Sequence, residues 1–348
     1  MGTELAIYAV KQMVHYYVRH NKPVYACYLD ASKAFDLVNH FTLLRKLCDR
    51  GVPSVIVSLF LYWFRTQRFV VRWGETLSSS FPVLTSVRQG GVCSAPFFAL
   101  YLNDLSVQLT ASGIGCRIGS TVFNHAIYAD DVCLMTTSIH ALKLLLQICE
   151  NYATNHDLKF NPTKSVCQLF GDSSYEFSRP LIKLCGRVLQ WSETVRYLGF
   201  DINCNNRDHE EMLRRRRELY ITANLIRSRF HHCSRDVKVY LFRKYFSTIY
   251  CNSLWCPVSP CVMDKLRVCY NDCFKIIMQI GRRKSSTLVF SEHRVRDFSA
   301  MRRISSYSLL SRLATTSNVI ISAIVNSNIF KESSISKMWR SILFLDCE

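Results

Sequence analysis

Val24-Tyr25-Ala26-Cys27-Tyr28-Leu29-Asp30 is a run of apolar and aromatic residues that stops on a carboxylate, and Tyr128-Ala129-Asp130-Asp131 sits between two further apolar runs. The first has the composition and length of a buried strand, predicted over residues 24–29. The second predicts a hairpin, with strands near 126–129 and 132–136 and the acidic pair at its turn. Carboxylates in such places are costly to bury, so they tend to coordinate a cation or pair with a base. Each also has an ordinary reading: Asp30 as the N-cap of a following helix, and Asp130-Asp131 as common turn chemistry.

Outward from these two points the periodicity alternates. Helical spacing is predicted over 4–19, where Leu5, Ala9, Met13 and Tyr16-Tyr17 fall near one face, and again around Lys33 to Val38. Pro53 suits a first helical turn and opens a helix to about Thr66, and Pro96 opens another to about Thr110. A hairpin is predicted between Phe69 and Val87, an amphipathic helix over 140–153, and short strands at 166–170, 188–191 and 195–200. After about residue 206 helical periodicity takes over, with a dense basic content: Arg214 to Arg217, Arg227, Arg229, Arg235, Lys238, Arg243 and Lys244. Interleaved helices and strands followed by helices alone predict an α+β domain over 1–205 and a helical region over 206–348.

The chain has 348 residues, enough for about two domains, with 49% hydrophobic and 20% charged residues. Its 44 Lys+Arg against 26 Asp+Glu give a net charge of +18, which attracts polyanions: nucleic acid first, an anionic membrane surface second. The longest apolar run, Val55 to Phe64, is too short for a membrane span and ends at Arg65. The N-terminus lacks the order of a signal peptide, which predicts an intracellular chain, nuclear or cytoplasmic and not secreted. The 16 cysteines, scattered through apolar stretches such as those around Cys27, Cys133 and Cys149, then read as reduced thiols.

Five stretches follow one another in order. They are Tyr28-Leu29-Asp30-Ala31-Ser32-Lys33-Ala34-Phe35-Asp36, Val87-Arg88-Gln89-Gly90-Gly91 and Tyr128-Ala129-Asp130-Asp131, then Leu158-Lys159-Phe160-Asn161-Pro162-Thr163-Lys164 and Tyr197-Leu198-Gly199. This string resembles palm motifs A to E of reverse transcriptases, and is most similar to those of non-LTR (LINE-type) retrotransposons, over roughly residues 4–202. The resemblance implies a palm, an antiparallel sheet packed by helices, followed by a mostly helical thumb. It implies RNA-directed DNA synthesis on an RNA template and a DNA primer, from deoxynucleoside triphosphates, with Mg²⁺ or Mn²⁺.

That chemistry uses two metal ions about 4 Å apart, one activating the primer hydroxyl and one holding the triphosphate. Mg²⁺ keeps much of its water, so a few hard carboxylate oxygens suffice. By resemblance Asp30 and Asp130 are the main ligands with Asp131 beside them, and the carbonyl of Ala31 serves the triphosphate-side ion. Phe35 stands where the family keeps an aromatic wall against a 2′ hydroxyl, although simple core packing also fits it. Asp36 is a family hallmark, read as structural. Arg88, Gln89 and Gly90 supply a polar tip beside backbone that a nucleotide or template can approach. Lys164 occupies the place of a lysine that protonates the leaving pyrophosphate, and an ordinary surface lysine fits nearly as well. Tyr197-Leu198-Gly199 would shape the primer grip, and packing fits its residues equally. Arg214 to Arg217 spread around more than half of a helix and cannot form one stripe. Such a run is usually a solvated face, but with Arg227, Arg229, Lys238 and Lys244 nearby and a palm before it, a thumb gripping duplex phosphates is more economical.

Three departures from the family pattern stand out. The sequence opens just ahead of the first motif, without the fingers segment or endonuclease domain expected upstream. After Gly91 it reads Val92-Cys93-Ser94-Ala95-Pro96, with the proline one position late. Asp157 sits where a glycine is common, in a turn that favours positive φ. A second reading is therefore a catalytically inactive, nucleic-acid-binding remnant. Cys251, Cys256, Cys261, Cys269 and Cys273, with His231, His232 and Cys233, lack the close pairs of a structural zinc site.

Overall fold

In the computed structural model, which describes residues 2–171, 179–255 and 259–344, the elements follow the expected alternation. Helix α1 (Thr3–Arg19) leads to strand β1 (Val24–Asp30), then α2 (His40–Asp49), α3 (Ser54–Thr66) and α4 (Ser94–Ala111). The hairpin β2 (His125–Tyr128) and β3 (Asp131–Thr136) precedes α5 (Ile139–Asn155), β4 (Val166–Phe170) and β5 (Gln190–Trp191). A last hairpin, β6 (Thr194–Tyr197) and β7 (Phe200–Asn203), is followed by α6 (His209–Arg229), α7 (Arg235–Phe246) and α8 (Pro260–Met278). The chain ends in α9 (Ser286–Glu292), α10 (Phe298–Ala314), α11 (Val319–Val325), α12 (Asn328–Glu332) and α13 (Ser334–Leu343). The fold is thus a mixed α/β region followed by a largely helical one, the palm-and-thumb order.

Five strands form one sheet in the order β5-β4-β1-β3-β2, antiparallel except for β4 with β5. β1 is central and buried along its whole length up to Asp30, which is why its sequence is a continuous apolar run and not an alternation. Helices α4 and α5 supply the covering layer through Phe98, Tyr101, Leu105, Leu142, Leu145 and Tyr152, all at most 2% exposed. Each such side chain contributes about 1.5–3 kcal/mol of burial, so the sheet that positions the carboxylates is firmly held.

The segment 33–38 is not the helix predicted for it; it forms consecutive turns. Lys33 adopts φ +49°, which breaks a helix, and Asn39 instead caps α2 by accepting from the N–H groups of Phe41 and Thr42. The freed backbone pairs with the loop before α4: Val87 N donates to Phe35 O (2.8 Å) and Ser86 N to Val38 O (3.0 Å). The late proline does no harm, because α4 starts at Ser94 and Pro96 still falls in its first turn, where no intrahelical N–H is needed.

Contacts divide the chain into two units, residues 22–192 and residues 1–21 with 193–348. The cut therefore differs from the 1–205 and 206–348 grouping: α1 and the last hairpin pack with the helical unit. The reason is burial around the helix. Residues Leu5 to Val14 of α1 are all buried, including Lys11 and Gln12, and a helix apolar nearly all round needs helices, not one sheet face, to cover it. Tyr8 stacks on Trp339 at 6.0 Å, and Lys11 forms an ion pair with Asp208 at the start of α6. Among the described residues no single helix is long and apolar enough to cross a membrane.

Candidate active site

The central sheet sets Asp30 and Asp131 directly opposite each other, as the last register pair of β1 with β3. Asp130 is in the two-residue turn that joins β2 to β3, closed by the pair Tyr128 and Asp131. The other turn residue, Ala129, has φ +50°, a left-handed conformation that an alanine adopts only when its surroundings hold it there. Like charges directly opposite in a sheet repel, with Cβ atoms only about 5 Å apart. The carboxyl of Asp131 registers this: burial first, then the charges of Asp130 and Asp30, push it up to about 6.

The Asp130 and Asp131 side chains have no hydrogen-bond or ion-pair partner among the described residues, and that of Asp30 meets only the amine of Lys164, at 4.0 Å. Among the described residues no three His, Cys, Asp or Glu stand close enough together to hold a metal ion by themselves. The donor set is carboxylate oxygen with one amine, that of Lys164, beside it, and hard oxygen of this kind is the ligand type of hard divalent cations.

Lys164 reaches Asp30 because its loop is laced to the end of β1. Asn161 N donates to Asp30 O and Ser32 N to Lys159 O, both at 2.8 Å, around the bridge of Ala31 with Phe160. In such a pair the bonds belong to the flanking residues, so the Ala31 carbonyl is not consumed by it. Asn161 Oδ1 accepts from Thr163 N (3.1 Å), fixing the turn that carries Lys164. Ser165, which sequence reasoning missed, accepts the Asp30 N–H (3.1 Å) and donates to Asn161 O (2.7 Å). Its only sequence signal is a hydroxyl at the start of an apolar strand.

Phe35 is half-buried and stacks on Phe98 at 4.7 Å, so it is neither plain core nor free surface. Arg88, Gln89 and Gly90 are exposed, and among the described residues the Arg88 guanidinium has no acidic partner. Gly90 has φ +82°, and a Cβ on Gly91 would lie 2.7 Å from Ser94 Oγ and 3.1 Å from Arg88 O. One glycine is needed for its dihedral and the other for lack of a side chain. Asp157 does take the positive φ expected of its turn, +56°.

In the helical unit, Tyr197-Leu198-Gly199 turns between β6 and β7 with Leu198 at φ +49° and Gly199 at +76°. Its carbonyls are anchored: Tyr250 Oη donates to Leu198 O (2.7 Å), while Arg214 Nη2 (2.9 Å) and Arg215 Nη2 (2.7 Å) donate to Gly199 O. Both arginines are also ion-paired with the fully buried Glu211 and with Glu218, and Arg214 with Asp201 as well. Of the four arginines in the run, Arg214 and Arg215 are thus already neutralised, by Glu211 and Glu218 one helical turn away and by Asp201. Of the cysteines considered for zinc, Cys251, Cys269 and Cys273 are buried, Cys261 is exposed, and Cys256 lies outside the described residues.

The family model for reverse transcriptase (RNA-dependent DNA polymerase) matches residues 4–202, more than half of the chain. The chain belongs to the reverse transcriptase family. Among similar proteins is the Retrovirus-related Pol polyprotein from the type-2 retrotransposable element R2DM of Drosophila melanogaster, 24% identical over 200 residues, covering 54% of this chain and 18% of that protein. Another is the RNA-directed DNA polymerase from the mobile element jockey of Drosophila funebris, 25% identical over 180 residues, covering 50% and 19%. The reverse transcriptase domain here is thus related to those of non-LTR retrotransposons, and the chain spans about a fifth of the length of these relatives. The fold is also similar to telomerase from Candida albicans, with a TM-score of 0.50 and 12% identity, covering 98% of this chain and 54% of that one.

Proposed function

We propose that this chain carries the polymerase centre of a non-LTR retrotransposon protein, joining deoxynucleotides to a DNA primer on an RNA template. The observation that carries the reading is the register that sets Asp30 against Asp131, with Asp130 in the adjoining turn and, among the described residues, only the Lys164 amine, 4.0 Å from Asp30, facing these three carboxylates. Asp30 and Asp130 would be the main metal ligands, Asp131 their neighbour, and the Ala31 carbonyl a further oxygen on the triphosphate side. A divalent ion, Mg²⁺ or Mn²⁺, supplies charge neutralisation of the triphosphate and a lowered pKa for the primer hydroxyl.

The remaining steps belong to side chains. Arg88 and Gln89, exposed on a turn that Gly90 and Gly91 allow, are free to meet the incoming nucleotide or the template. Phe35, half-buried and stacked on Phe98, would be the aromatic wall that excludes a 2′ hydroxyl. Lys164, mostly exposed and 4.0 Å from Asp30, would give its proton to the departing pyrophosphate. Residues 1–205 would then act as palm with partial fingers, and 206–348 as thumb and C-terminal region.

Primer extension on poly(rA)/oligo(dT) with Mg²⁺ or Mn²⁺ tests the reading. Metal-dependent extension supports it, and salt-sensitive duplex binding with no extension under either metal would favour the inactive, nucleic-acid-binding alternative.

A further inference from the structure

Several cavities in the helical unit are lined by basic residues, one of them sharing Arg296 with Arg243 and Arg294, and the two described here differ in how far those residues are already used. The larger, about 500 Å³, includes Arg282, Lys275 and Arg227. There Arg282 is ion-paired with Asp272 at 2.9 Å, and the Lys275 amine is spent on the carbonyls of Arg282 and Lys284. The second, about 400 Å³, lies between α8, α9 and the start of α10 and is lined by Arg267, Arg296 and Arg303.

Neither Arg296 nor Arg303 has a carboxylate within ion-pair distance among the described residues, whereas Arg267 shares Asp264 at 3.2 Å. The Arg303 guanidinium lies 5.9 Å from the ring of Phe344, a contact that steadies the side chain and leaves its N–H groups unpaired. Asp297 also lines the cavity, but its carboxylate caps α10 by accepting the Ala300 N–H at 2.6 Å. The N–H groups of Phe298 and Ser299, in the first turn of this 17-residue helix, have no acceptor among the described residues. Two unpaired guanidinium groups from separate positions, open backbone donors and the hydroxyl of Ser286 make a set suited to a phosphate's oxygens.

We infer that this cavity seats a backbone phosphate of bound nucleic acid. The identity of the occupant rests on the polymerase reading, and the phosphate chemistry rests on the cavity alone. With Arg214 and Arg215 neutralised internally, Arg296 and Arg303 are among the cations of this unit still available to a polyanion.

The test is binding of a fluorescent RNA–DNA hybrid by the full chain between 50 and 200 mM salt, with no turnover required. Arg296→Ala/Arg303→Ala is expected to bind about tenfold more weakly at 0.1 M salt and to lower the slope of log K against log salt by about 1. Arg296→Ala alone, at an exposed residue whose side chain makes no hydrogen bond or ion pair among the described residues, gives part of the same loss, with the urea midpoint unchanged. Lys265→Ala/Arg340→Ala removes the same charge from exposed positions outside the cavity and is expected to change affinity less than twofold. Equal losses in the two double variants, or an unchanged slope, overturns the proposal. Unchanged hybrid binding with lost binding of inorganic phosphate would overturn it too, by assigning the cavity to a free anion. Primer extension that fails while this binding pattern holds would count against the polymerase reading only.

Discussion

At the scale of single residues, the carboxylates behave as a set of charges held together against their preference. The ordinary carboxyl value for Asp131 is 3.8 and the folded one is about 6, so the folded state binds its proton more tightly than the unfolded state. The stability this group contributes is complete below 3.8 and is lost as pH rises through 6. In EDTA, Asp131→Asn should therefore unfold at a higher urea concentration than wild type at pH 7.5 and at nearly the same concentration at pH 4. Discounted for partial exposure, the gain is about 1–2 kcal/mol. An equal shift at both pH values would mean that charge is not its source. Gly91→Ala has the opposite character. The added methyl meets Ser94 Oγ and Arg88 O, and overpacking of this kind costs about 1–3 kcal/mol, measurable in the same urea titration. The aspartates were legible in sequence because a carboxylate ending an apolar run is conspicuous. Ser165 was not, since a hydroxyl at a strand start carries no such contrast; its role exists only once the Asn161 turn closes on β1.

At the scale of elements, periodicity located most strands and helices, and it failed where backbone bonding overrode it. The segment 33–38 has helical spacing, yet a left-handed Lys33 and pairing with residues 85–87 make it a loop. In the basic run of α6, the sequence did not show that Arg214 and Arg215 turn inward onto Glu211, Glu218 and Asp201. Folded, Arg214 and Arg215 with Tyr250 hold the two carbonyls of a turn whose Leu198 is strained. Tyr250→Phe, which removes only the hydroxyl, should cost about 1 kcal/mol, and Arg215→Ala about 1–3 kcal/mol, because it leaves the buried Glu211 with Arg214 as its one remaining cation among the described residues. Equilibrium unfolding checks both, and a neutral Arg215→Ala would mean that the network does not hold the turn.

At the scale of the molecule, the α+β-then-helical order was readable from composition and spacing, while the contact boundary was not. The residues that decide it, Leu5 to Val14, are buried all round by elements at the far end of the chain, a long-range fact no local window contains. Tyr8→Ala should accordingly destabilise by about 3–5 kcal/mol and loosen the C-terminal helices, visible as lost amide-exchange protection over α11 to α13. The central claim is that Asp30 and Asp130 hold the metal for nucleotide addition, and single-nucleotide incorporation on poly(rA)/oligo(dT) in Mg²⁺ addresses it most directly. Wild type should extend the primer, while Asp30→Asn and Asp130→Asn should each lose at least about a hundredfold in rate with hybrid binding retained. Extension at the wild-type rate by Asp130→Asn would contradict the account.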